Sequence, residues 1–263
     1  MLLKCPVCQA PLIKDETFYR CSKKHSFDIA KPNYLNLYLN QGTKKHGDNE
    51  SMILARHQFL NSNHYQNLLE TLIQSIKDMP HSSLIDMGCG EGYYTNQIQA
   101  NYPMMEIIGI DLSKQALKLA SKANHSVTYV CASIHECPIF DCSSDLVLSI
   151  FSPYKISEVK RLLKPNGIFI EVKPAKDHLM HLKQALYSKV LDNPINQIID
   201  PSLQLIKTTD SRFDLNLNQA DIENLLKMTP YFYTSHPDQL AKVLSLNALL
   251  DSAHFTISYY RLV

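Results

Sequence analysis

The 263-residue chain lacks several features that would each assign a class at once. No run of 18 residues is apolar throughout, so no bilayer-spanning helix is encoded, and the first residues do not read as a signal peptide. Charge of one sign is missing too. Lys and Arg number 26 against 25 Asp and Glu, a net charge of +1, which argues against a nonspecific binder of long nucleic acid. No internal repeat or low-complexity tract appears. With 45% hydrophobic and 19% charged residues, the composition supports a real core and argues against disorder. The expectation is a cytoplasmic, reducing setting with no membrane partner, where clustered Cys mean metal before disulfide.

Seven Cys are present, and Cys89, Cys131, Cys137 and Cys142 are scattered. The other three fall into a pattern, C-x2-C-x12-C-x3-H, formed by Cys5, Cys8, Cys21 and His25. Three thiolates and one imidazole in two short knuckles suit tetrahedral Zn2+, and a closed set of four points to a structural site. The apolar residues around it (Leu2, Val7, Leu12, Ile13, Phe18, Tyr19, Phe27) are too few to fold a free-standing unit, so the metal would supply the folding free energy. Residues 9–20 read as a short hairpin, which makes the unit a ribbon. Arg20, Lys23, Lys24 and Lys31 near the last knuckle read equally as a solvated face or a phosphate-contacting one. The polar stretch 40–51 reads as a linker, and helices are expected from Ser51 and again from Tyr65, the second ended by Pro80.

Leu84 to Thr95, LIDMGCGEGYYT, is the centre of the sequence. Leu84, Ile85 and Met87 form the apolar run of a buried parallel strand, and Gly88, Gly90 and Gly92 follow at alternate positions before a helix. The G-x-x-G half of a pyrophosphate-binding turn is absent. Asp86 and Glu91 flank the loop instead and would repel a pyrophosphate while suiting a cationic, amino-bearing ligand. Such a ligand is S-adenosylmethionine, and the stretch resembles the first motif of Rossmann-like (class I) methyltransferases. A second strand, 107–110, ends in Asp111, 19 residues after Gly92, where an acid can accept both ribose hydroxyls. Further strands are expected at 127–130, 145–150 and 168–172. Ser113 should cap a helix over Ala116, Leu117 and Ala120. After the third strand, Ser133 or His135 would have to read the adenine. After the fourth, Phe151-Ser152-Pro153-Tyr154 should face the target atom. Helices are expected over 157–163, 177–191, 218–228 and 237–250, and strands over 203–217 and 255–262. An aromatic loop at 229–233 reads as core in preference to a base-stacking surface. The fold class is α/β, a Rossmann-like methyltransferase sheet with a small zinc ribbon. The expected division is 1–40 ribbon, 41–80 linker and helical entry, and 81–263 methyltransferase domain.

A ribbon of this spacing directly before such a domain, together with HSFDIAKPNYLNL (25–37), NHYQNL (63–68), DMGCGEGYYT (86–95), HLMHLK (178–183) and MTPYF (228–232), resembles the 23S ribosomal RNA guanine-N1-methyltransferase family. The resemblance runs along nearly the whole chain. It implies zinc on Cys5, Cys8, Cys21 and His25, and S-adenosylmethionine near Tyr65, Gly90, Glu91 and His178. From spacing alone Tyr65 and His178 would read as packing residues. It also implies a 23S RNA hairpin as partner, modified at one of two neighbouring guanines, and members that are often homodimers. No general base stands out; the fourth-strand loop and His178 are the places to look. Two rivals are a small-molecule methyltransferase, which leaves the ribbon without a job, and a non-catalytic RNA-binding adaptor, which leaves the glycines and Asp111 without one.

Overall fold

The structure is a computed structural model that describes residues 2–39, 48–190, 192–193 and 197–263. Most of the expected linker, 40–47, lies outside the described residues, as does Leu191 at the end of an expected helix. The ribbon is a three-stranded antiparallel sheet of β1 (Leu12–Lys14), β2 (Phe18–Cys21) and β3 (Ser26–Asp28), and the expected hairpin is β1 and β2, with Ile13 opposite Arg20. Then come β4 (Tyr34–Asn36), α1 (Glu50–Asn61), α2 (Gln66–Ile76), β5 (Ser83–Met87), α3 (Tyr93–Asn101), β6 (Glu106–Asp111), α4 (Lys114–Ala123), β7 (Thr128–Cys131), β8 (Ser144–Ile150), α5 (Ile156–Leu162) and β9 (Leu163–Pro174). The chain closes with α6 (Met180–Leu186), β10 (Leu203–Asn218), α7 (Gln219–Lys227), α8 (Tyr231–Thr234), α9 (Pro237–Leu244) and β11 (Ala248–Leu262).

Eight strands form one sheet in the order β10-β11-β9-β8-β5-β6-β7-β4. The strands from β9 to β4 run parallel, whereas β11 is antiparallel to β9 and to β10. This is a doubly wound sheet whose order reverses between β5 and β8, the place where ligands of such sheets bind. The expected strands and the Ser113 cap are all present; the Ser113 hydroxyl accepts from the Ala116 N–H. Along β5 the side chains alternate between two cores. Leu84 packs with Leu68, Leu72 and Ile98 on one face, and Ile85 and Met87 pack with Val159, Leu162 and Phe169 on the other. Leu3, Cys5, Leu12 and Cys21 of the ribbon join this second core, and the Lys4 N–H donates to the Pro138 carbonyl. Tyr34–Asn36 carries the chain from the ribbon into the main sheet, alongside β7.

Three expectations change in detail. The helix expected over 177–191 is confined to Met180–Leu186, because Leu179 sits at φ +55 and Asp251 accepts the N–H groups of His181 and Leu182 at the start of the helix. The helix expected to run to Leu250 stops at Leu244, because Ala248, Leu249 and Leu250 pair with Asn218, Leu217 and Asn216. The aromatic loop contains a single helical turn, α8. The Lys164–Gly167 turn is a bulge at the start of β9: Ser144 pairs with Leu163 and Leu146 with Ile168, with Asn166 at φ +63 between.

Candidate cofactor cavity and metal centre

Cys5, Cys8, Cys21 and His25 place one ligand atom each within 4.8 Å of one another. Cys5 Sγ lies 3.5 Å and Cys21 Sγ 3.4 Å from His25 Nδ1, and Cys8 Sγ lies 3.6 Å from Cys21 Sγ. A tetrahedron with metal–sulfur bonds of about 2.3 Å has edges of roughly 3.5–3.8 Å, so the four donors fit zinc. Backbone turns present the set, with Cys5 and Cys21 seated against the second core. Turns at Cys5–Gln9 and Cys21–His25, each closed by its own backbone hydrogen bonds, present the two halves.

The second site lies at the carboxyl ends of β5, β6 and β8. It is a cavity of about 330 Å3, at the small end of the range for small-molecule sites. Gly88, Gly90 and Gly92 have φ of +85, +55 and +78. At Gly88 a Cβ would lie 2.5 Å from Ser152 Cβ, so the turn and the loop after β8 approach as closely as backbone allows. At Gly92 it would lie 2.7 Å from Ala120 Cβ, which is what lets α3 and α4 pack.

Four carboxylates line this cavity, Asp48, Asp86, Glu91 and Asp111. Asp86 is 2% exposed and accepts from Thr95 Oγ1 at 2.6 Å; burial, with Asp111 adding to it, pushes its carboxyl up to about 7. Asp111 accepts from the Gly90 N–H at 2.9 Å and the Ser113 N–H at 2.7 Å, and burial raises it as well. Glu91 is 4% exposed and accepts from Arg56 Nε at 2.7 Å, while Arg56 Nη1 meets Asp48 at 2.5 Å. Burial works against the Arg56 charge, but Glu91 and Asp48 outweigh it and hold the guanidinium above its ordinary value. The Tyr94 hydroxyl, on the cavity wall, is buried and has no hydrogen-bond partner among the described residues. An orphaned donor of this kind is what a missing ligand leaves behind. Close-approach glycines, acids, one guanidinium and a free hydroxyl together suit a zwitterionic, sulfonium-bearing amino acid nucleoside. The residues present fit S-adenosylmethionine.

Of the residues expected here, Asp86, Gly88, Gly90, Glu91 and Asp111 line the cavity, and Gly92 begins the helix behind it. His135 lines it, whereas Ser133 lines a second cavity of about 510 Å3 between the ribbon and the sheet. Tyr65 and His178 do not reach its wall. Tyr65 is packed edge-on to Phe255 at 4.9 Å and Phe59 at 5.2 Å. His178 packs on Phe255 at 4.6 Å and accepts the His254 N–H at Nδ1; burial lowers it to about 3, so it stays neutral with its proton on Nε2. Phe255 carries both rings, and on its cavity side it backs Phe151. Sequence reasoning missed Arg56, Asp48 and Tyr94. Arg56 lies 35 residues from its partner Glu91 on an entry helix, and its only sequence signal was a lone cation among the apolar positions of α1.

Comparisons with known proteins now bear on both sites. A family described as "Methyltransferase domain" matches residues 85–170, and one described as "RlmA, N-terminal" matches residues 3–44. A 23S rRNA (guanine(748)-N(1))-methyltransferase of Streptomyces fradiae is 29% identical over 91% of this chain and 89% of its own length. A malonyl-[acyl-carrier protein] O-methyltransferase of Hamiltonella defensa is also 29% identical, but over only 49% of this chain. Among solved structures, the YcgJ protein of Bacillus subtilis covers 76% of this chain at 14% identity with a TM-score of 0.51, a likeness of fold alone. The zinc-fitting ribbon, the methyltransferase sheet behind it and the end-to-end match make the chain similar to the 23S rRNA guanine-N1-methyltransferases along nearly its whole length.

Proposed function

We propose that this protein transfers the methyl group of S-adenosylmethionine to N1 of one guanine in a hairpin of 23S ribosomal RNA, in the cytoplasm. The observation that carries the reading is that ribbon and cavity are built on one sheet. Leu3, Leu12 and Cys21 share a core with Ile85 and Met87, the strand whose end forms the glycine loop. A small-molecule methyltransferase has no use for that coupling, whereas an enzyme that must grip a folded RNA beside its reactive centre does.

Zinc on Cys5, Cys8, Cys21 and His25 fixes the ribbon. Gly88, Gly90 and Gly92 let the cofactor lie on bare backbone, Asp86 and Glu91 attract its cationic end, and Asp111 takes the ribose. Arg56 and Tyr94 are the cavity's donors for its carboxylate. His135 lies beyond β7 on the adenine side, Ser133 faces the second cavity, and Tyr65 and His178 form the layer behind. When bound, S-adenosylmethionine supplies an activated methyl on a sulfonium. The chain's own task is orientation, which supplies much of the rate in such transfers. Guanine N1 lies on the pairing edge and carries a proton, so the base has to be unpaired to be reached, and a hairpin loop makes that least costly. His178 lies behind the cavity wall with Nδ1 taken by the His254 N–H, so it is not placed to accept the N1 proton.

The test is methyl transfer from labelled S-adenosylmethionine to unmethylated 23S RNA, free and in assembled subunits, with primer extension. A stop at one hairpin guanine is the expected result, because N1-methylguanine cannot pair. Cofactor binding without transfer to RNA overturns the reading in favour of a small acceptor. A homodimer is part of the proposal, checked by the mass of the protein in solution.

A further inference from the structure

Phe151 is the first residue after β8, and its backbone is strained. It sits at φ +54, a left-handed region that bulky side chains rarely enter. The fold does not relieve this. The Phe151 N–H is committed to the Val172 carbonyl at 3.2 Å. The next residue is pinned as well. Ser149 Oγ donates to the Ser152 carbonyl at 3.0 Å, and Ser152 Oγ donates to the Met87 carbonyl under the glycine loop. The strain has a visible product. It turns an aromatic ring out of the core so that Phe151 remains 45% exposed on the cavity wall, in a chain that buries Phe59, Phe169 and Phe255 to 1% or less. The ring is not loose. Its inner side rests on Phe255 at 5.1 Å, and Phe255 is in turn held by Tyr65 at 4.9 Å, His178 at 4.6 Å and Phe213 at 6.1 Å.

A rigid, backed aromatic ring with one side open to a reaction cavity is a stacking platform for a flat ring system. It stands at the carboxyl end of β8 and lines the same cavity as the carboxylates that suit the cofactor. We propose that Phe151 stacks the extruded guanine and sets the plane in which N1 meets the methyl group, the strained backbone being what holds the ring in that place. This rests on the guanine reading above. Stacking on an aromatic reads no base edge, so Phe151 contributes orientation and affinity for the flipped base, while the choice of guanine falls to other groups.

The experiment compares the full-length zinc-loaded protein with Phe151→Tyr, Phe151→Leu and Phe151→Ala. It measures methyl transfer to 23S RNA under single and multiple turnover, S-adenosylmethionine affinity by calorimetry, and thermal midpoint. Tyr keeps the ring and should hold kcat/KM within about threefold. Leu keeps apolar volume but not the flat face, and Ala keeps neither. Both should lose on the order of 10- to 100-fold in kcat/KM, the range expected for one base–aromatic stack, with cofactor affinity unchanged within about twofold. A Leu variant as active as the wild type overturns the platform alone, and so does a loss of cofactor affinity equal to the loss of activity. No transfer to RNA by the wild-type protein overturns the guanine reading and the platform with it.

Discussion

Residues 2–30 and the sheet behind them become ordered by opposite means. In the ribbon, Leu2, Val7 and Ile13 are all more than half exposed, and the side chains it buries, Leu3, Cys5, Leu12 and Cys21, point into a core that belongs mainly to the sheet. Its three strands are three or four residues long. Four donor atoms and a few turn hydrogen bonds replace the missing interior. The sheet carries two continuous cores and needs no ligand to close. The comparison teaches where information sits. Metal geometry is short-range in sequence and strict in distance, so the ribbon's chemistry is written in its spacing. Packing is long-range and tolerant, so the cavity's chemistry is assembled from α1, from the ends of β5, β6 and β8, and from β11 behind them.

The comparison is broken most forcefully at the metal. Cys21→Ser, or chelation of the wild type, should empty the site and abolish protection of residues 2–30, because metal binding supplies about 10 kcal/mol or more of the folding free energy in such small units. Hydrogen exchange and zinc content measure it. The sheet from β5 to β9 should keep its protection and its cofactor affinity. Loss of both regions together would show that the shared core makes them one cooperative unit. On the sheet side, Phe169→Ala should cost about 3–5 kcal/mol in denaturant unfolding, since the ring is fully buried against Tyr154 at 4.8 Å. Ile13→Ala, 63% exposed in the ribbon, should change stability by no more than about 0.5 kcal/mol. Equal costs would erase the distinction. Between these lies Gly88→Ala. The left-handed φ of +85 alone costs roughly 1–2 kcal/mol, and the new Cβ would meet Ser152. The expected outcome is a lower thermal midpoint and cofactor affinity reduced about tenfold or more, with Gly88→Ala/Ser152→Gly recovering the steric part but not the backbone part.

Most strands of the sheet were legible, because each of β5 to β9 carries an apolar run bounded by turn residues, and the alternate glycines mark a turn whose backbone must stay bare; β4, the short Tyr34–Asn36, was not. What was not legible has physical causes. The reach of α6 was overestimated because Leu179, Leu182, Leu186 and Val190 keep helical spacing, while the helix start is set by Asp251, some 70 residues away. The end of α9 was missed because Leu249 and Leu250 continue its apolar stripe but are claimed by β11 through pairing with β10. In the aromatic loop the rings divide: Tyr231 and Phe232 pack on the core, as favoured, whereas Tyr233 is 46% exposed and reaches Asn49 at 3.3 Å. Arg56 was invisible because a cation on an amphipathic helix ordinarily faces water. Only the fold brings it under Gly90 and beside Glu91.

The last of these effects probes a buried acid of the sheet. Asp86 is buried with a carboxyl raised to about 7 from an ordinary value of 3.8. A raised acid favours the folded state while protonated. Its contribution is therefore fully present below about pH 4 and is lost as pH rises toward 7. Asp86→Asn removes the ionisation, so the variant should lose less stability than the wild type between pH 4 and about 7. The same charge that weakens the empty protein attracts a cationic cofactor, so wild-type affinity for S-adenosylmethionine should rise about tenfold from pH 6 to pH 8, and the Asn variant should be flat. A ribbon cysteine variant should follow the wild-type profile, because this titration belongs to the sheet alone. An Asn variant that keeps the wild-type slope would assign the titration to Asp111. Asp111 faces the same cavity but is tied to the Gly90 and Ser113 amides, which leaves Asp86, held by a single hydroxyl, as the acid with most to gain from a cation beside it.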